Sequence, residues 1–175
     1  TNLARIILNI NKTYGKDILK RASELSPIEY ISTGIESLDK ILSGGLPKGR
    51  IIELHGLPAS GKSLICLLTI KSAQAKSLSC IWVNAEKSYD PTFAAGLGVD
   101  MDKLIVLDLS LGEDVIDILA KLLPSEPGLI VIDSVASLVP KPDMEKSMKE
   151  DTMATRARLM SRGLSKLNAL NISTV

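Results

Sequence analysis

The spacing of apolar positions changes along this chain, and each period predicts an element. In residues 2–14, Leu3, Ile6, Ile7, Ile10 and Tyr14 recur at helical spacing, and Gly15 is placed to end that helix. A helix this one-sided needs a cover for its apolar face, either the chain's own core or a neighbouring subunit. Residues 16–29 are charged and mixed, and predict a linker. Ser32 to Asp39 predicts a turn and a short helix, and Ser43 to Gly49 a tight glycine turn.

From residue 50 the pattern alternates. The run Arg50-Ile51-Ile52-Glu53-Leu54-His55 predicts a buried strand and Leu64 to Ile70 a helix. Strands are then expected at Cys80–Asn84, at Leu104–Leu107 and at Leu129–Ile132, the last ending on Asp133. Helices are expected at Pro91–Leu97, with Pro near its start, and at Glu113–Leu123. Residues 134–150 predict a loop rich in charge and methionine, 151–169 a helix, and Asn171–Val175 the start of another strand. This alternation predicts a doubly wound parallel sheet with its ligands at the strand C-termini. The final strand has no partner in view and the chain begins at Thr1, so a fragment of a larger domain is expected. There is no internal repeat and no low-complexity tract.

Composition narrows the class. A chain of 175 residues suffices for one domain with a sizeable core. Aromatics are few, namely Trp82, Phe93 and three tyrosines, which suits an aliphatic parallel sheet. The net charge is +1, so any nucleic-acid contact must come from a local basic patch. Cys66 and Cys80 sit inside apolar runs and read as reduced, buried thiols rather than a disulfide. His55 stands alone, which argues against zinc. No apolar stretch reaches spanning length and the N-terminus is not a signal peptide, so a cytosolic or organelle-interior protein without membrane contact is expected.

The chemistry centres on Gly56-Leu57-Pro58-Ala59-Ser60-Gly61-Lys62-Ser63, which fits the phosphate-binding pattern G-x-x-x-x-G-K-[ST] between a predicted strand and a predicted helix. Its glycines let backbone N–H groups wrap phosphates, and the helix N-terminus that continues into Leu64 adds a positive dipole end. Lys62 would reach the β- and γ-phosphates of ATP, and the Ser63 hydroxyl would hold Mg²⁺. Asp133, followed by Ser134, is a weak signal alone, but paired with the Gly56–Ser63 loop it would be the second magnesium partner; the competing reading is a helix or loop cap. Glu86, just past the strand 80–84, is the candidate for activating water against the γ-phosphate. The competing reading is a salt-bridged or exposed carboxylate. Asp90 and Phe93 could contact adenine, but a helix-capping aspartate and a core phenylalanine are the simpler reading. Arg158, Arg162 and Lys166 recur every four residues on one helix face, with Arg156 off that stripe and Met144, Met148 and Met153 nearby. Such an edge suits a nucleic-acid backbone and its bases. On charge alone, a solvated face paired with Glu150 and Asp151 is the simpler reading.

Taken together these residues resemble the bacterial RecA recombinase family. The resemblance rests on Gly15-Lys16, Ile31-Ser32-Thr33-Gly34, Ser37-Leu38-Asp39, and Gly44-Gly45-Leu46-Pro47-Lys48-Gly49-Arg50. It continues through Ser60-Gly61-Lys62-Ser63, Asn84-Ala85-Glu86, Asp90-Pro91, Leu97-Gly98-Val99-Asp100 and Ile132-Asp133-Ser134-Val135-Ala136. It implies an α/β, RecA-like P-loop ATPase core at 29–175, a mostly parallel twisted sheet flanked by helices. An N-terminal oligomerisation arm at 1–28 would precede it. It also implies a DNA-dependent ATPase, cytoplasmic and nucleoid-associated. Such a protein forms a helical homo-oligomeric filament on single-stranded DNA, pairs it with homologous duplex DNA and exchanges strands in repair. In that family Glu86 activates water and Asp90 and Phe93 contact adenine. Met153 wedges between bases, and Arg158 holds phosphate. Two departures stand out: Phe93 replaces a more usual tyrosine, and Ser165 replaces a basic DNA contact that Arg162 would have to supply. The family's second DNA loop and its cross-subunit ATP contacts are expected beyond Val175. A ring-forming or accessory ATPase of the same superfamily, without strand exchange, is the alternative.

Overall fold

The computed structural model describes residues 2–15, 18–144 and 153–172. Helix α1 spans Asn2–Tyr14 and closes on Gly15, whose N–H donates to Asn11 O at 3.2 Å. None of its residues is buried, so its apolar face is not taken up by the chain's own core. The Asn11 side-chain amide donates to Leu19 O at 2.9 Å and accepts from Leu19 N–H at 2.8 Å, tying the following segment to the helix.

A small antiparallel ribbon follows, β1 (Tyr30–Ile31) against β2 (Leu46–Pro47), with helix α2 (Glu36–Ile41) between them. Asp39 fastens this unit. Its carboxylate accepts from the Ser32 hydroxyl at 2.5 Å, Thr33 N–H at 2.8 Å and the Thr33 hydroxyl at 2.6 Å. Gly45 has φ +125°, and a Cβ there would stand 2.1 Å from the Ile31 carbonyl oxygen, so only glycine closes the ribbon.

The main sheet has three parallel strands, β3 (Cys80–Asn84), β4 (Leu104–Leu107) and β5 (Leu129–Asp133), in the order β4-β3-β5. Cys80 stands opposite both Leu104 and Leu129, which makes β3 the centre. Side chains alternate across a strand. Cys80 and Trp82 pack with Leu67, Ile70 and Ala73 of helix α3 (Lys62–Ala75). Val83 and Ala85 pack on the other face with Val115, Ile116 and Leu119 of α5 (Gly112–Leu122). Leu159 and Leu167 of α7 (Met153–Ile172) complete that second cluster. Helix α4 covers Pro91–Gly96, and the four-residue helix α6 covers Lys141–Met144.

Two expectations are corrected. Residues 51–57 form no strand, and Ile51, Ile52 and Leu54 are 47%, 40% and 38% exposed. A buried strand needs ladder neighbours, and among the described residues β5 pairs only with β3. Residues 171–172 are the last turn of α7, not the start of a strand. The preceding Leu-Asn-Ala-Leu stretch carries good helix formers, and the helix runs on through residues 171–172. Residues 173–175 lie outside the described set. The expected loop 134–150 contains a 3-10 turn at Val135–Ser137 and then α6. The expectation of a parallel sheet is met by these three strands.

Candidate nucleotide site

The loop Gly56–Gly61 leads into α3 through Gly61, which caps the helix in the left-handed region at φ +90°. Side chains rarely adopt that conformation, so the turn requires glycine there. Pro58 and Ala59 form the tip, and Ser60 N–H donates to Leu57 O at 3.2 Å. Leu57 and Leu64 are exposed beside it. The Lys62 ammonium folds back and donates to the carbonyls of Gly56 at 3.0 Å and Leu57 at 2.8 Å. The loop thus holds its one cation over its own concave side, where phosphate oxygens would compete for it.

Ser63, one residue into α3, donates through Oγ to Asp133 Oδ2 at 2.7 Å. Asp133 ends β5, and its carbonyl accepts the Glu86 N–H at 3.1 Å. The side chains of Ser63 and Asp133 therefore meet where α3 faces the end of β5, and the backbone of Glu86 is bonded to that of Asp133. The Asp133–Ser134 peptide is cis, and Ser134 Oγ lies 3.0 Å from Ser137 Oγ. Cys66, one turn along α3 from Ser63, has its thiol pushed up to about 11 by burial and then by the nearby Asp133 carboxylate. Burial alone raises Cys80 to about 11. Both cysteines are free thiols, as expected.

The oxygen donors Ser63 and Asp133 fit Mg²⁺, a hard ion that keeps several waters and takes further ligands from phosphates. Among the described residues no group of three or more His, Cys, Asp or Glu side chains could hold a metal, so no all-protein cage competes with this pair.

Asp90 caps α4. Its Oδ1 accepts from Thr92 N–H at 2.8 Å and Phe93 N–H at 3.1 Å, the simpler role foreseen for it. Phe93 is not a core residue: its side is open, at 49% exposure. On α7, Arg158 and Arg162 are exposed, one position before the buried Leu159 and Gly163. Lys166 continues that stripe, but its ammonium is bonded to Asp117 of α5 at 2.7 Å. Met153 opens α7. Met148, Glu150 and Asp151 lie outside the described residues, as does the predicted loop from residue 145 on. No helix among the described residues is long and apolar enough to cross a membrane. Sequence reading missed the acceptor role of Asp39 and the pairing of Lys87 with Asp108, since both depend on which segments become neighbours.

Residues 1–174 match the family model described as the RecA N-terminal domain. The chain is 44% identical over 168 residues to a protein named Protein RecA from Sulfurovum sp. (strain NBC37-1), covering 94% of this chain and 48% of that protein. It is 42% identical over 171 residues to Protein RecA from Rickettsia africae (strain ESF-5), covering 95% and 50% respectively. Protein RecA from Rickettsia prowazekii (strain Madrid E) gives the same identity and coverage. The chain spans about half the length of these curated relatives.

Proposed function

The chain belongs to the RecA N-terminal domain family, and from that membership we propose that it carries a RecA-like P-loop ATPase core at 29–175 behind an oligomerisation arm at 1–28. It serves homologous recombination and DNA repair in the cytoplasm, as part of a helical filament on single-stranded DNA that pairs with homologous duplex. The observation that carries this reading is the bond between Ser63 Oγ and Asp133 Oδ2 at the head of α3, with Glu86 tethered to the same Asp133.

In this reading Gly56 to Leu64 hold the triphosphate through loop N–H groups and the positive end of α3. Lys62 leaves the Gly56 and Leu57 carbonyls for the β- and γ-phosphates. Ser63 and Asp133 hold Mg²⁺, which neutralises charge on the phosphate oxygens when bound. Glu86 takes a proton from a water whose oxygen attacks the γ-phosphorus, and the bond from that phosphorus to the bridging oxygen breaks as ADP leaves. Phe93 offers its exposed ring to adenine, and Asp90 keeps Oδ2 for the amino group. Ser134 backs the magnesium ligand. Met153, Arg158, Arg162 and Lys166 contact DNA. For Lys166 this requires exchanging Asp117 for a phosphate, at little cost for an exposed ion pair; the alternative is an ATPase of the same superfamily without strand exchange. The uncovered apolar face of α1 supports docking on a neighbouring subunit.

The test is ATP hydrolysis by the full chain with and without single-stranded DNA, with Lys62→Ala as background. Stimulation by DNA, and loss of turnover with retained ATP binding in Glu86→Gln, are expected. Undiminished turnover in Glu86→Gln would remove the role given to that residue. No response to DNA, with ATP still bound, would favour the alternative.

A further inference from the structure

We propose that Lys87 and Asp108, with Asn84 donating to the same Asp108 oxygen, are positioning residues that hold the turn carrying Glu86. The proposal deepens the reading of Glu86 above and rests on it. The chain bends at Ala85–Lys87 directly after β3. Ala85 is buried beneath the bend, and Glu86 and Lys87 are exposed above it. Lys87 has φ +60°, a left-handed conformation that a side chain adopts only when its surroundings hold it.

Those surroundings are two neighbouring strand ends. On the β5 side, Glu86 N–H is bonded to the Asp133 carbonyl. On the β4 side, Asp108 Oδ1 accepts from Lys87 Nζ at 2.7 Å and from Asn84 Nδ2 at 3.1 Å. Asn84 closes the bend from within, because its Oδ1 accepts Tyr89 N–H at 3.1 Å. The carboxylate of Glu86 therefore stands on a bend clamped to β5 at its own N–H and to β4 through the next residue. A group that must align water for in-line attack loses rate when its backbone is free to rotate. The Lys87 ammonium, spent on Asp108, is turned to the β4 side and is not spent on the adjacent Glu86.

An exposed ion pair adds little to stability, so this brace should be read in catalysis more than in folding. In the full chain with saturating single-stranded DNA, Lys87→Met and Asp108→Ala should each lower kcat about fivefold, with KM for ATP within about twofold. The double variant should be no slower than either single, because one shared device is lost only once. Lys87→Arg, which keeps the cation, should keep wild-type kcat. Wild-type kcat in both singles, or multiplied losses in the double, would overturn the proposal. So would a loss that disappears on cooling to where the variants are fully folded. Glu86→Gln in the same assay separates the two readings. If it is inactive while the brace variants are unimpaired, only the positioning proposal fails. If it turns over normally, the role of Glu86 fails and the brace with it.

Discussion

Ser63 and Asp133, seventy positions apart, meet at 2.7 Å between hydroxyl and carboxylate. The bond joins the first turn of α3 to the end of β5 and fixes the distance between the Gly56–Gly61 loop and a strand end. It also leaves two hard oxygens side by side.

For that pair the expected outcome is selective. Asp133→Asn should weaken binding of ATP with Mg²⁺ about tenfold, the 1.4 kcal/mol scale of one contact to a charged group. Removing the ion with a chelator should erase most of the difference between wild type and variant. Titration of a fluorescent ATP analogue with and without Mg²⁺ checks both. An equal loss in the two conditions would mean that Asp133 acts on the fold instead of the ion.

Asp39 gives a pH dependence of known sign. Hydrogen bonds from Ser32 and then Thr33 hold its carboxyl below the usual carboxylate range. Its contribution is therefore complete above the unfolded value, about 4, and is lost as pH falls through the folded value. Glu29, Asp100 and Asp117 are also held low, mainly by bonds from Lys48, Lys103 and Lys166, and supply a shared background. Asp39→Asn should cost about 1–2 kcal/mol at neutral pH and flatten the decline in stability as pH falls below about 4. Urea midpoints measured across that range decide it, and parallel curves for the two proteins would contradict the assignment.

The cysteines should resist alkylation. With both thiols raised to about 11 by burial, the reactive thiolate is scarce at neutral pH. Iodoacetamide at pH 7.5 should leave native chains unlabelled over minutes and modify both residues in urea, read by intact mass. Fast single labelling of native protein would show that Cys66 is open.

Much of this was legible in the sequence because it is local. The G-x-x-x-x-G-K-S loop, the apolar runs of β3, β4 and β5, and the one-sided period of α1 and α5 each announce themselves within a short window. Asp90 was legible as a cap for the same reason. The rest depends on who becomes whose neighbour. The run 50–55 has a strand's composition, but a strand is defined by its partners, and the described residues give it none. Lys166 reads as part of a basic stripe until Asp117 on α5 takes up its charge. Asp108 carries no motif at all, and its meaning arises only because parallel pairing sets the end of β4 beside the end of β3.

β5 carries a practical consequence for handling the protein. Among the described residues, Leu129–Asp133 is laddered on one side only. Unpaired N–H and C=O groups along an apolar strand are a template for any other extended chain. At high concentration an edge of this kind is expected to pair with strands from other molecules, which sedimentation of the chain over a range of concentrations would reveal.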